Sequence, residues 1–323
     1  MQAILAVDLG GTKVAVQIAD LTGHCHFEKR YYSGSYSDFP AVLRHLFNDI
    51  KTLGVTLISS CFAVAGPVIG MKAKLTNLPW LIDGVQLSQD FPLGKLYLCN
   101  DFVATAYGIS AIHPDKLQVI HAVKASQKAP AVVIGAGTGL GQAVIMPSQQ
   151  ILATEGGNVD FAPRDAQQLA LLQYAMTLMS HVSYERLLSG AGIELIYQFM
   201  LCQNKGSDGR VQDYGPLSAA TISQLAQLGD NQCAIDTLRL FVRIYGAQAG
   251  NLALTTLARG GVYIAGGIAV KNSQFILSQD FIDAFLAKGK MAKLMTEIPV
   301  TLIMENDIGV IGARQLAIKR LDE

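Results

Sequence analysis

Asp8-Leu9-Gly10-Gly11-Thr12-Lys13 is the first stretch whose residue types can do chemistry. Paired glycines permit positive φ and let backbone N–H groups approach a ligand closely, which suits phosphate oxygens. Thr12 adds a hydroxyl donor and Lys13 a nearby charge. Asp8 would repel bare phosphate but can hold a hydrated Mg²⁺ between itself and phosphate. An ordinary glycine turn has the same composition, so this stretch alone leaves both readings open. It recurs: Gly137-Thr138-Gly139 lies between two further apolar runs. That second copy has Gly135 where an acid would sit, so only Asp8 supplies a metal-directed carboxylate. Two phosphate-type turns, each heading about half the chain, imply a duplicated unit with ATP phosphates clamped between the halves.

Asp101 follows an apolar run and opens a helical one, so its carboxylate can accept the proton of a substrate hydroxyl. The other reading is that Asp101 or Asn100 caps that helix. Glu155 lies on the glycine-rich turn Glu155-Gly156-Gly157-Asn158, where a side chain is free to reach a ligand or simply to face water. Glu185 falls in a first helical turn, where the helix dipole favours an acid in any case. Asn77, beside Pro79 and Trp80, carries no signal alone. Separated carboxylates and amides suit a polyhydroxylated ligand, because each can bridge neighbouring hydroxyls. Gly266-Gly267 lets a flat base or ribose lie on backbone, or is an ordinary strand-to-helix turn.

The elements around these residues follow from apolar spacing. Leu5–Val7 and Val14–Val16 flank the first turn as a hairpin, and Cys25–Tyr32 reads as a third strand. Phe39–Leu53 has helical spacing, and Leu57–Ala65 is a buried-type strand. Met71–Leu75 and Leu96–Cys99 read as strands, Val85–Phe91 and Phe102–Ala111 as helices. Three antiparallel strands followed by strands alternating with helices is the order of a ribonuclease H-like unit. In the second half, Leu117–Val123 has no assigned type, Gln150–Thr154 is a strand, and Ala166–Met179 is helical. Ser183 caps a short helix that Gly190 ends. Gly192–Gln203, Ala219–Leu228, Gln232–Leu257, Phe281–Ala287 and Gly309–Lys319 are helices; Val262–Ala265 and Val300–Met304 are strands. No low-complexity linker separates the halves. The expected domains are a small α/β domain of residues 1–112 plus 305–323 and a large one of 113–304, with a hinge near the Asp101 and final helices.

Composition excludes other classes. Half of the 323 residues are hydrophobic and 15% charged, which favours a packed fold over disorder. Basic and acidic residues balance at 25 each, so no nucleic-acid partner is expected. Uncharged stretches are broken by turn residues, and neither a membrane span nor a signal peptide is expected. Five scattered cysteines without a C-x-x-C pair read as free thiols of a cytoplasmic protein.

Taken in order, these segments resemble the bacterial glucokinases of the actin and heat-shock-chaperone ATPase superfold. The resemblance spans essentially the whole chain. It runs through DLGGT (8–12), TNLPW (76–80), CNDF (99–102), GAGTGLG (135–141), EGGNVDFAP (155–163), HVSYERLLSG (181–190), IAGGI (264–268) and GVIGA (309–313). It implies two ribonuclease H-like domains with a cleft between them and ATP- and Mg²⁺-dependent phosphorylation of glucose or a similar hexose at its 6-hydroxyl. By resemblance Asp101 is the general base, while Asn77, Asn100, Glu155, Asn158 and Glu185 bind the sugar. Asp8, Gly10, Gly11, Thr12, Lys13, Gly137, Thr138, Gly139, Gly266 and Gly267 hold the nucleotide, Asp8 reaching Mg²⁺ largely through water. A homodimer is implied as well. The cysteine cluster of the zinc-binding relatives is absent. One departure stands out: the family has histidine as the fourth residue of the E-G-G-x turn, and here it is Asn158. A kinase for another hexose or an amino sugar, or a non-catalytic sugar sensor of the same fold, is the alternative.

Overall fold

The computed structural model describes residues 1–75, 78–204 and 215–321. The chain forms two compact units, Met1–Pro114 with Glu305–Glu323, and Asp115–Met304.

In the first unit β1 (Gln2–Leu9), β2 (Lys13–Ala19) and β3 (Cys25–Tyr32) make an antiparallel meander. After α1 (Phe39–Ile50), β4 (Thr56–Val64) joins β1 in parallel. A small antiparallel sheet of β5 (Val68–Ile69), β6 (Lys72–Lys74) and β7 (Leu81–Asp83) leads into α2 (Gly84–Asp90). Then β8 (Lys95–Asn100) joins β4 in parallel and runs into α3 (Asp101–Gly108), giving the sheet order β3-β2-β1-β4-β8. Helix α1 stops at Ile50, short of Leu53, because Leu53 N–H turns back onto the Ile50 carbonyl and Gly54 follows in the left-handed region at φ +61°.

The period of two along β1 decides where Asp8 goes. Ala3, Leu5, Val7 and Leu9 enter one core with Phe39, Val42 and Leu46 of α1. Ile4 and Ala6 enter another with Val310, Ala313 and Ala317 of the last helix, Ile308–Lys319. Asp8 continues that second face and ends against the first turn of this helix. Glycines allow the close fit. A Cβ on Gly309 would strike the Asp8 carboxylate, and one on Gly312 would strike the Ala104 carbonyl of α3.

The second unit repeats the plan. It contains β9 (Leu117–His121), the hairpin β10 (Ala131–Ala136) and β11 (Leu140–Ile145), β12 (Ile151–Thr154), α4 (Ala166–Met176), α5 (Tyr184–Leu187), α6 (Gly190–Asn204), α7 (Ala219–Leu228) and α8 (Gln232–Thr256). Then come β13 (Gly261–Ala265), α9 (Gly267–Lys271), α10 (Ser273–Ile276), α11 (Gln279–Leu286), α12 (Ala292–Met295) and β14 (Val300–Ile303). The sheet order is β12-β11-β10-β13-β14-β9. Again three strands form a meander and two more join in parallel, now with β9 antiparallel at the edge of β14. Both sheets therefore have the ribonuclease H-like order of the actin-type ATPase fold.

One expectation is corrected here. Gly190 does not end the Glu185 helix: α5 closes at Leu187, where Leu188 N–H turns back to the Tyr184 carbonyl, and Gly190 opens α6. The segment after residue 116, left without a type by its spacing, is an edge strand, β9. Its alternation is weak because an edge strand has little to bury. Helix α8 is buried along most of its 25 residues, where Gly246 lets the Phe281 backbone of α11 approach. Among the described residues, no helix is long and apolar enough to cross a membrane.

Candidate active site

In the first unit the Asp8–Lys13 turn is held from below. Gly10 N–H donates to the Lys13 carbonyl at 3.0 Å, and Ser33 N–H donates to the Thr12 carbonyl at 3.0 Å. Neither Gly10 nor Gly11 adopts positive φ, contrary to the sequence expectation. For Gly10 the value is steric: a Cβ there would sit 3.1 Å from the Lys13 oxygen. Thr12 and Lys13 are exposed. The Asp8 carboxyl is pushed up to about 6 by burial, with the charge of Asp307 adding to the effect. Asp307 in turn accepts from the Arg30 guanidinium through both carboxylate oxygens at 2.5 Å. A carboxylate short of counter-charge beside a phosphate-type turn is a hard oxygen donor that suits Mg²⁺. Mg²⁺ needs no cage of protein ligands, and among the described residues no cluster of three or more metal-ligating side chains exists.

At the end of β8 the two readings of Asn100-Asp101 separate. Asn100 is the N-cap: its Oδ1 accepts from Phe102 N–H at 2.9 Å and Val103 N–H at 3.3 Å. Its Nδ2 donates to the Gly66 carbonyl at 3.3 Å. Capping at this level contributes about 1 kcal/mol. Asp101 stands at the first position of α3, half-buried, and its Oδ1 accepts the Phe102 N–H at 3.0 Å. Asn77 lies outside the described residues.

In the second unit the glycine hairpin, the Glu155 turn and the Glu185 helix form one cluster. Gly137 N–H donates to the Gly139 carbonyl at 2.8 Å, and Gly190 N–H at the start of α6 donates to the Gly137 carbonyl at 3.0 Å. A Cβ on Gly137 would meet nothing within 4 Å, so open space lies above it. Thr138 is exposed at the tip. Glu185 Oε2 accepts from Leu140 N–H at 2.9 Å, and its carboxylate lies where a Cβ on Gly139 would go. Ser183 Oγ caps the helix that carries it, accepting from Arg186 N–H at 3.3 Å.

Gly156–Asn158 is a 3-10 turn, closed by Asn158 N–H on the Glu155 carbonyl at 2.9 Å. Gly157 is pressed against the Leu140 carbonyl, with no room for a side chain. Beyond the turn, Phe161 N–H bonds the Val182 carbonyl and Tyr184 N–H bonds the Val159 carbonyl, so Glu155, Asn158 and Glu185 are carried on two backbone segments tied together. Glu155 and Asn158 are exposed. Gly266, at φ +91°, packs against the Ala136 backbone, and Gly267 opens α9 with empty space above it.

The sequence reading missed Asp307, whose charge acts on Asp8, its partner Arg30, and Gln142, buried beneath Gly156 with its Nε2 unpartnered. Arg30 and Asp307 are 277 residues apart, and no local pattern links them.

A sequence model of the Glucokinase family matches residues 5–320. A glucokinase of Nostoc sp. is 37% identical, covering 97% of this chain and 98% of its own. The crystal structure of a glucokinase from an Antarctic psychrotroph superposes with a TM-score of 0.83 at 29% identity, covering 99% of each chain. A glucokinase of the ROK family from Streptomyces griseus, solved with glucose and AMPPNP, shares the fold with a TM-score of 0.66 at 19% identity, covering 98% of this chain and 99% of its own. The match runs from β1 to the last helix and so takes in both glycine turns and the Asp101 helix: the chain belongs to the glucokinase family.

Proposed function

We propose that the protein transfers the γ-phosphoryl group of ATP to the 6-hydroxyl of glucose. Its family makes it an ATP-dependent hexose kinase; the assignment of individual residues is our reading. Asp101 takes the hydroxyl proton as the oxygen attacks phosphorus in line. The observation that carries this role is the placing of Asp101 at the first position of α3, half-buried at the end of β8, where Asn100 supplies the helix cap.

Glu155, Asn158 and Glu185, with Asn77 and Asn100, bind sugar hydroxyls. Carboxylates accept from hydroxyls and amides both donate and accept, so a polyol can be held in one orientation. The backbone of Gly10–Thr12, with Lys13, and that of Gly137–Gly139 receive phosphate oxygens, and Gly266-Gly267 receives the nucleoside. Asp8 would hold a hydrated Mg²⁺, which when bound would offset negative charge on the phosphates. Most of the rate enhancement is then positioning and electrostatics. A homodimer in the cytoplasm, without nucleic-acid or membrane partners, completes the reading.

The test is ADP release across a panel of hexoses. Strong turnover of glucose supports the proposal. Turnover confined to another hexose or an N-acylated amino sugar would transfer the same machinery to a different substrate, a second reading that the Asn158 departure favours. No ADP release with any sugar would sink both.

A further inference from the structure

Tyr245 lies in the middle of α8, fully buried, with its ring edge-on to Phe241 and Phe281. A buried phenol needs partners for its hydroxyl. Here those partners are all backbone groups at the ends of two strands. The hydroxyl oxygen accepts from Ala136 N–H at 3.1 Å, and its proton is shared between the Ile134 carbonyl at 3.2 Å and the Ala265 carbonyl at 3.4 Å. Ala136 is the last residue of β10 before Gly137-Thr138-Gly139, and Ala265 is the last of β13 before Gly266-Gly267. The strands pair in parallel, with Gly135 opposite Ala265. Directly beyond the pair, Gly266 packs on the Ala136 backbone so closely that a side chain has no room. Parallel pairing ends at Gly135 and Ala265, so among the described residues no ladder pair lies beyond them to set the spacing of the two turns.

We infer that Tyr245 is a positioning residue for nucleotide binding, its one hydroxyl fixing where the two glycine turns leave the sheet. This rests on the reading that those turns hold ATP. Tyrosine suits the task because its oxygen sits at the end of a rigid ring and can accept one bond while donating another. Burial pushes the phenol well up, so it stays protonated and keeps its donor at any working pH. Phenylalanine would fill the same space but leave the Ala136 N–H without this acceptor. The turn backbones would then relax relative to each other, and phosphate and nucleoside contacts made from different turns would no longer fit together.

The test is Tyr245→Phe in the full chain, with KM measured separately for ATP and for the sugar, beside Gly137→Val as a reference. The ring-conserving change should raise the KM for ATP by about three- to tenfold, the scale of one lost buried hydrogen bond. The KM for sugar should move less than about twofold, and added ATP should raise the melting temperature less than in the parent. A merely structural role would lower melting and shift both KM values together; that result, or an unchanged KM for ATP while Gly137→Val raises it, overturns the inference alone. If Gly137→Val also leaves the KM for ATP unchanged, the nucleotide is not held by these turns, and the role of Tyr245 fails with that reading.

Discussion

Glu185 Oε2 accepts the Leu140 backbone N–H at 2.9 Å, so the acid assigned to the sugar is anchored on the hairpin assigned to phosphate. One carboxylate oxygen is thus committed to holding β11 at its first residue, and the other remains for a ligand. The two functions are mechanically linked within the second unit, and Gly139 is the residue that leaves room for the link.

Gly139→Ala is therefore expected to act on the sugar. The new Cβ would lie 2.5 Å from Glu185 Oε2, the far end of a flexible side chain, so the carboxylate swings away and the fold survives. Stability should fall by about 1 kcal/mol, from the lost bond to Leu140. The sugar KM should rise by about three- to tenfold. Kinetics with both substrates varied check this; an effect confined to ATP would contradict it.

Asp101→Asn keeps shape and hydrogen-bonding reach but cannot accept a proton. A loss of about 10²–10⁴ in kcat is expected, with sugar binding retained by calorimetry. The melting temperature should hardly change, because Asn100 caps α3 and an amide Oδ1 can still accept the Phe102 N–H. Near-normal turnover would remove Asp101 from the mechanism.

Asp8→Asn should weaken use of Mg²⁺–ATP, leave sugar affinity intact and stabilise the metal-free protein. In the folded chain this carboxyl keeps its proton up to about pH 6, whereas the unfolded chain releases it near 3.8. The folded state thus binds more protons between those values, and stability drains away as pH rises through them. Above about pH 6 the penalty is complete, on the order of 1–3 kcal/mol once partial exposure is allowed for. The amide removes it. Melting curves should show the variant above the parent at about pH 7.5, with the gap closing below about pH 4; a variant less stable than the parent at both would refute this.

Asn158→His tests the family departure. A carboxamide reaches less far than an imidazole and offers a different donor set. Losing one direct hydrogen bond costs about 0.5–1.5 kcal/mol, or roughly three- to tenfold in affinity. The exposed 3-10 turn tolerates either side chain, so folding should not change. The histidine variant should therefore show a lower KM for glucose than the parent. Parallel assays on mannose and N-acetylated hexosamines would expose a re-tuned pocket instead.

Local chemistry determined much of this protein in advance. Strand periodicity, the two glycine-threonine hairpins and the helix at Asp101 are carried by residues within a few positions of one another, so neighbours in sequence suffice to read them. The duplicated plan was legible for the same reason, since each copy opens with its own hairpin. The tertiary structure decided what nearness in sequence cannot. That Asn100 rather than Asp101 takes the cap was set by where α3 begins, and Asn100 also reaches the Gly66 carbonyl, 34 residues away. Gly190 looked like a helix stop, but its N–H goes to the Gly137 carbonyl, and that bond starts α6 instead. The raised pKa of Asp8 comes first from burial and then from the charge of Asp307, both of which exist only when β1 and the last helix pack. Hydrogen-bond partners and electric fields act through space, and only the packed chain says which residues share it.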